Sequence, residues 1–360
     1  MAEIVIEQAL FRREHEQPLE LSARSPGFAD DWRAGAERLI AGFGERSGGV
    51  TCLLAVFAQP LGLQHVAVVR AADQQAGPSG WPALAFQVLV CTRADYEKYL
   101  SDPFAVAQRA AVDWSSRGEL PALVWPAEPL PARTVSQVQA VLKRVKAGAL
   151  REDEDPEVER TVENSESPAL LGGTQVLVDG GKLVFIRKGP DQALVEGLWT
   201  LLPYSLRGKI WPASFAFTND LGFDIAVVPR PPPAPPSQGG AGGGSWEGYT
   251  TEEQAASYPA GSYELALQTA AEAGDQAELN AVFARRTSNE TLRLAWHILI
   301  AMAILVIGGQ LFLSGPAPPT FPRERRAALA AGVVAVGDPW TAWGMLEFGN
   351  QLVNRAKEAK

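Results

Sequence analysis

TQVLVDGGKLVFIRK, residues 174–188, decides how the second half of this chain is read. Two runs rich in β-branched residues flank Asp179-Gly180-Gly181. Asp-Gly between apolar runs is the strongest short-range signal for a β-hairpin, so the reading is antiparallel. The segments after it fit. PDQALVEGLWTLL, Pro190 to Leu202, has helical periodicity, with Pro190 suited to the first turn. SFAFTN and FDIAVVP then read as two strands around Asp220-Leu221-Gly222.

The first half has the same style. Glu3 to Phe11 is extended, and RREHEQPLELSARSPGF follows as a polar loop. Ala29 to Phe43 places Trp32, Ala36, Leu39, Ile40 and Phe43 at helical spacing, with Ser25 or Asp30 as cap and glycines at 42, 44, 48 and 49 to end it. Val50–Ala58, His65–Ala71 and Ala83–Thr92 read as an antiparallel meander. A helix over Arg93–Leu100, a second from Asp102 to Val112, and a Trp- and Pro-rich connection from Trp114 to Pro131 come next. The helix from Thr134 aligns Val135, Val138, Val141, Leu142 and Val145 on one face. Residues 1–229 are thus expected to form a mixed, largely antiparallel α+β domain, in one piece or as two lobes. No repeat at residue level relates its two halves.

Charge is unevenly spread. The formal net charge is −9, and residues 150–167 hold eight acids and two bases, a local net of 2 − 8 = −6. That run reads as a solvated loop or a frayed helix, since it lacks the spacing of an EF-hand. Its sign opposes binding to phosphate backbones, so no nucleic-acid partner is expected.

At Pro229 the composition changes. PRPPPAPPSQGGAGGGSW joins a proline run to a glycine run, so residues 230–250 are expected to form a linker. A proline-rich ligand for an SH3- or WW-like module is the functional alternative. Residues 251–290 read as a helical hairpin turning at Gly274-Asp275, and 323–360 as a helical tail ending in an amphipathic segment that suits a membrane surface.

LAWHILIAMAILVIGGQLFLSG, Leu294 to Gly315, lies between them. From Leu294 to Pro322 there are 29 residues without Lys, Arg, Asp or Glu. Leu294–Leu313 is long enough for a bilayer and apolar on all sides, and it predicts one transmembrane helix. Trp296 and Arg293 suit an interface. The alternative is a core helix of a wholly soluble, helical C-terminal domain. MAEIVIEQALF has neither a basic region nor a long apolar run, so a cytoplasmic N-terminal domain is expected.

The sequence offers little chemistry. Cys52 and Cys91 sit in apolar runs and read as buried free thiols. His15, His65 and His297 have no metal-ligand spacing, and no CxxC or HExxH occurs. VDGGK at Lys182 lacks the first glycine and the Ser or Thr of a phosphate loop. A Cys52–His65 dyad and a site at Asp220 and Asp224 are the remaining catalytic readings, with loop shaping the commoner role of such Asp residues. No cofactor, metal or catalytic residue is assigned. The aromatic-dense block WTLLPYSLRGKIWPASFAFTNDLGFD reads first as a core strand pair with its aromatic packing, and alternatively as a recognition surface with candidate partner-binding residues Trp199, Tyr204, Arg207 and Trp211.

EQALF at 7–11, ARSPGFADDW at Ala23–Trp32 and the WTLLPYSLR…WPASFAF block resemble the N-terminal domain of bacterial proteins labelled GTPase-associated, components of conflict or signalling systems. The resemblance covers about residues 1–229. It implies contact with an NTPase-based system and carries over no catalytic residue. The expectation is a membrane-anchored, single-pass adaptor or sensor that binds the bilayer through Leu294–Leu313 and a protein partner through its N-terminal domain. An enzyme of unrecognised type with a site in that domain is the alternative.

Overall fold

The computed structural model describes residues 2–13, 18–46, 50–76, 82–110, 113–152, 169–230 and 248–284, then 296, 298–300 and 302–306. The chain divides into a compact unit, Met1–Leu292, and a second unit, Arg293–Lys360.

In chain order the first unit contains β1 (Glu3–Arg13), β2 (Glu20–Arg24), α1 (Asp30–Gly42), β3 (Ala55–Leu61), β4 (His65–Ala76), β5 (Pro82–Thr92), α2 (Arg93–Asp95), a π-helical turn (Tyr96–Leu100), α3 (Pro103–Arg109), β6 (Gly118–Glu119), β7 (Leu123–Pro126) and α4 (Val135–Glu152). It continues with α5 (Ala169–Val178), β8 (Lys182–Ile186), α6 (Gln192–Leu201), α7 (Tyr204–Arg207), β9 (Pro212–Ala213), β10 (Ile225–Val228), β11 (Tyr249–Thr251), α8 (Glu252–Ala256), α9 (Ser262–Ala273) and α10 (Gln276–Phe283).

The meander forms as expected: β3, β4 and β5 are antiparallel neighbours, and β5 pairs with β1. The polar loop after β1 differs, because β2 folds back onto β1 within it. Neither Ser25 nor Asp30 caps α1; Ala29 holds that position with no side-chain bond. Phe43, just past the end of α1, stacks on Phe57 at 5.5 Å and meets Phe86, Phe215 and Phe217 edge-on. That cluster fixes α1 against the sheet, since each such pair adds about 0.5–1.5 kcal/mol beyond area burial.

The second half departs from the hairpin reading. TQVLV is the end of helix α5, not a strand. Gly180, with φ of +88°, terminates it. Gly181 N–H donates to Val176 C=O at 2.8 Å and Gly180 N–H to Leu177 C=O at 3.1 Å, the paired bonds of a Schellman cap. An Asp-Gly-Gly turn serves either element because both need a left-handed glycine. The run of ten residues, apolar or small except for Gln175, has no helix-specific period, because α5 is buried on nearly every side. Gly172 is required there: a β-carbon on it would lie 2.0 Å from Ala255 C=O of α8.

Without the hairpin, β8 pairs in parallel with β10 and β11, and β10 in parallel with β9. SFAFTN is not a strand; only Pro212–Ala213 pairs there. Pro190 stands one residue before Asp191, which caps α6 by accepting from Leu194 N–H at 3.0 Å. The sheet runs β11-β8-β10-β9-β3-β4-β5-β1-β2-β6, with β7 on β1. The parallel group β8 to β11 meets the mainly antiparallel remainder, where only β2 and β6 pair in parallel, at one seam: Ser214 N–H donates to Val56 C=O at 2.9 Å and Val56 N–H to Ser214 Oγ at 2.8 Å. There are not two lobes but one sheet, with a main hydrophobic core reaching from Ile4 to Phe283 and a small separate cluster of Leu10, Ala23 and Leu120.

That core crosses the expected domain boundary at 229. β11 is a strand of the same sheet, α8 packs on it, and α9 and α10 add Leu267 and Phe283 to the same core. The helical hairpin does turn at Gly274-Asp275, with Asp275 capping α10. Most of the Pro/Gly run, the acidic run from Asp153 onward, His15 and the tail 323–360 lie outside the described residues.

In the second unit, the described residues between Trp296 and Val306 are helical and exposed. Among the described residues no helix is long and apolar enough to cross a membrane, so the predicted transmembrane helix is not found there. The rest of Leu294–Leu313 lies outside them.

Candidate interaction site

Burial separates the four residues singled out from the aromatic block. Trp199, 1% exposed, donates its indole N–H to Ser101 C=O at 3.0 Å and meets Phe104 edge-on. Arg207 is also buried, and its Nε donates to Trp199 C=O at 3.0 Å. Neither has surface to offer a partner. Trp211 is half-buried, stacked on the buried Tyr96 of the π-helical turn, with Arg93 over its ring. Tyr204, 40% exposed, packs against Phe283 and Arg133 instead. The block is mainly core, because its aromatic side chains fill the seam between α6, the π-helical turn and the sheet.

What those residues build is the C-terminal end of α6. The last four carbonyls of a helix have no partner inside it. Here Arg207 takes Trp199 C=O, Arg133 Nη1 takes Thr200 C=O and Leu202 C=O, and Tyr263 Oη donates to Leu201 C=O at 2.7 Å. Cationic donors suit the negative end of the helix dipole. The Arg133 guanidinium also lies 3.4 Å from the Phe283 ring centroid. Burial, with the like charge of Arg207, pushes its pKa down to about 9. Its Nε and Nη2 have no hydrogen-bond partner. Tyr263 and Phe283 belong to α9 and α10, so this cap fastens the helical hairpin to the sheet domain.

The catalytic readings separate as well. Cys52 is buried, and its Sγ faces Ala71 C=O at 3.6 Å. His65 starts the same strand β4 six residues earlier, roughly 20 Å away at strand rise, and its ring contacts Trp32. Burial pushes the thiols of Cys52 and Cys91 up to about 12, which disfavours the thiolate a nucleophile needs. Both are free and buried, as expected. Asp224 accepts from Trp211 N–H at 2.9 Å and pairs with Lys182 at 3.2 Å, and Asp220 accepts from Thr218 Oγ1. They shape their loop. Among the described residues no group of His, Cys, Asp and Glu could hold a metal ion.

An accessible corner lies elsewhere. The first residues of β1 leave the main sheet and pair with β7 as a two-stranded ribbon, with Val5 opposite Val124. Ile4 and Ile6 point into the core, whereas Val5 and Val124 are each about half exposed, at 50% and 52%. A cleft of about 520 Å³ opens where the ribbon ends, lined by Glu7, Pro26, Gly27, Glu119, Leu120, Pro121 and Ala122. Glu7 continues β1 beyond Ile6, and Ala122 precedes Leu123 on β7. Two carboxylates line the cleft, and no Lys or Arg does. The alternation in EIVIEQ marks the two faces of β1, but the Pro-rich surroundings of LVWP hide β7 as a strand, so the sequence reading passed over this corner.

Comparison with family models, curated proteins and solved structures finds no match to this chain.

Proposed function

We propose that this chain is a membrane-held adaptor whose folded first unit binds a protein partner. The observation that carries it is the exposure of apolar side chains among the described, helical residues between positions 296 and 306: Trp296, Ile298, Leu299, Ile300, Met302, Ile304, Leu305 and Val306 are each between 45% and 76% exposed. A helix that is apolar all round must be covered, and a charge-free stretch of this length suits lipid. The two free thiols fit a reducing side of that membrane. The ribbon and cleft at β1 and β7 are the proposed partner surface. The resemblance to GTPase-associated proteins supports a partner in an NTPase-linked system.

The fold changes how such an anchor would work. The Pro/Gly run joins β10 to β11, two strands of one sheet, so the chain between the folded unit and the apolar stretch begins only after α10. The tether is residues 285–293, with a reach of at most about 35 Å from Ala284 to Leu294. Flotation with liposomes tests the anchor. The full chain should rise with the lipid and resist a carbonate wash, and Ile300→Arg with Leu305→Arg should release it. Folded wild-type chain left in the soluble fraction would refute this function.

A further inference from the structure

We infer that the open edge of β7 takes up an extended, basic segment of a partner protein as an additional strand; the inference rests on the partner-binding reading above and gives the partner its chemistry. The hydrogen-bond pattern of the ribbon fixes which groups are free. Ala127 N–H donates to Ala2 C=O at 2.9 Å. Antiparallel pairs alternate between bonded and non-bonded, so Ile4–Trp125 and Ile6–Leu123 are the bonded pairs. Val124 lies between them, and its N–H and C=O point away from β1. Among the described residues no other strand pairs with β7. Pro126 brings no N–H, so the edge presents one complete donor–acceptor pair at Val124 and then stops. That short length limits uncontrolled pairing while leaving one residue able to bind both backbone groups of an incoming strand.

The surroundings select the incoming side chains. Val124 and Val5 form an exposed apolar pair on one face of the ribbon, where a β-branched residue of the added strand would pack. The cleft adjoins β7 at Ala122, so a strand laid along β7 and continued past Leu123 would run toward it. There Glu7 and Glu119 meet it, with Glu7 held by Ser25, whose hydroxyl donates to its carboxylate. Glu3 and Glu128, both exposed, stand at the other end of the ribbon. Lys or Arg alternating with β-branched residues matches that arrangement, and an acidic segment does not.

The test uses full-length protein in a neutral detergent and fluorescence anisotropy of two labelled eight-residue peptides, one alternating Lys and Val, the other Glu and Val. The Lys–Val peptide should bind, and the Glu–Val peptide at least tenfold more weakly. Val124→Pro removes the outward N–H together with the valine side chain, leaves the bonds to β1 at Leu123 and Trp125 in place, and should weaken binding at least tenfold at an unchanged urea midpoint. Val124→Lys keeps the backbone intact and should do the same by repulsion. Glu7→Gln with Glu119→Gln should flatten the salt dependence. Equal binding of the two peptides, binding unchanged by both Val124 variants, or no binding of the Lys–Val peptide would overturn the inference. Flotation reads the anchor without touching β7, so failure of one does not mimic failure of the other.

Discussion

Replacing Phe283 by Ala tests whether the helical hairpin is part of the domain or a satellite of it. Phe283 is fully buried near the end of α10, against Tyr204 and under the Arg133 guanidinium. Truncating a buried Phe costs about 3–5 kcal/mol through lost transfer energy and the cavity left behind. The desolvated cation–π contact accounts for about 2 kcal/mol of coupling between the two side chains. Such a loss is a large share of the roughly 5–15 kcal/mol that holds a domain together. Urea unfolding followed by tryptophan fluorescence should give one transition whose midpoint falls sharply, because Trp199 lies on the far side of the same cap. A cycle with Arg133→Met should return the coupling, since residues in contact are not additive. Two separate transitions, with the tryptophan-reported one unmoved, would refute the reasoning and return the hairpin to the independent unit that the sequence suggested. A coupling near zero would refute the cation–π part alone.

Three further outcomes follow from the packing and the titration. Both thiols have pKa values raised from an ordinary 9 to about 12, so the stability they confer is complete below pH 9 and is lost as pH rises toward 12. At pH 10 the loss is on the order of 1 kcal/mol per thiol; replacing Cys52 and Cys91 by Ala should flatten the stability profile between pH 8 and 10.5, and an unchanged slope would count against buried thiols. Ser214→Ala should cost about 1–3 kcal/mol in chemical denaturation, because it orphans the Val56 N–H at the seam between the sheet halves. Gly172→Ala should lower the thermal midpoint by an amount equivalent to about 1–3 kcal/mol or more, as α5 and α8 are forced apart; a neutral result would mean that the two helices do not approach as described.

The residues that reached a correct reading share a property: their signal is local. The meander of β3, β4 and β5, helix α1 and the turn at Gly274-Asp275 each announce themselves within a dozen residues, by periodicity or by a cap. DGG at 179–181 was equally visible but ambiguous. A left-handed glycine ends a helix as readily as it turns a hairpin, and only the packing of Ala169–Val178 on all sides selects the helix. The candidate site was less legible still. Trp199 and Arg207 attract attention as residue types that anchor interfaces, yet the carbonyls of their own helix consume them. The open backbone groups of Val124 leave no mark in side-chain chemistry at all.

By itself the sequence determined the mixed α+β composition, the antiparallel first half, the buried thiols and the charge-free stretch from Leu294, because these depend on composition and short-range pattern. Only tertiary structure decided that β8 to β11 run in parallel, that one sheet crosses the Pro/Gly run, and that α9 and α10 close the end of α6. Strand pairing at the seam joins residues as far as 158 positions apart. No local pattern encodes which carbonyl a distant arginine will reach.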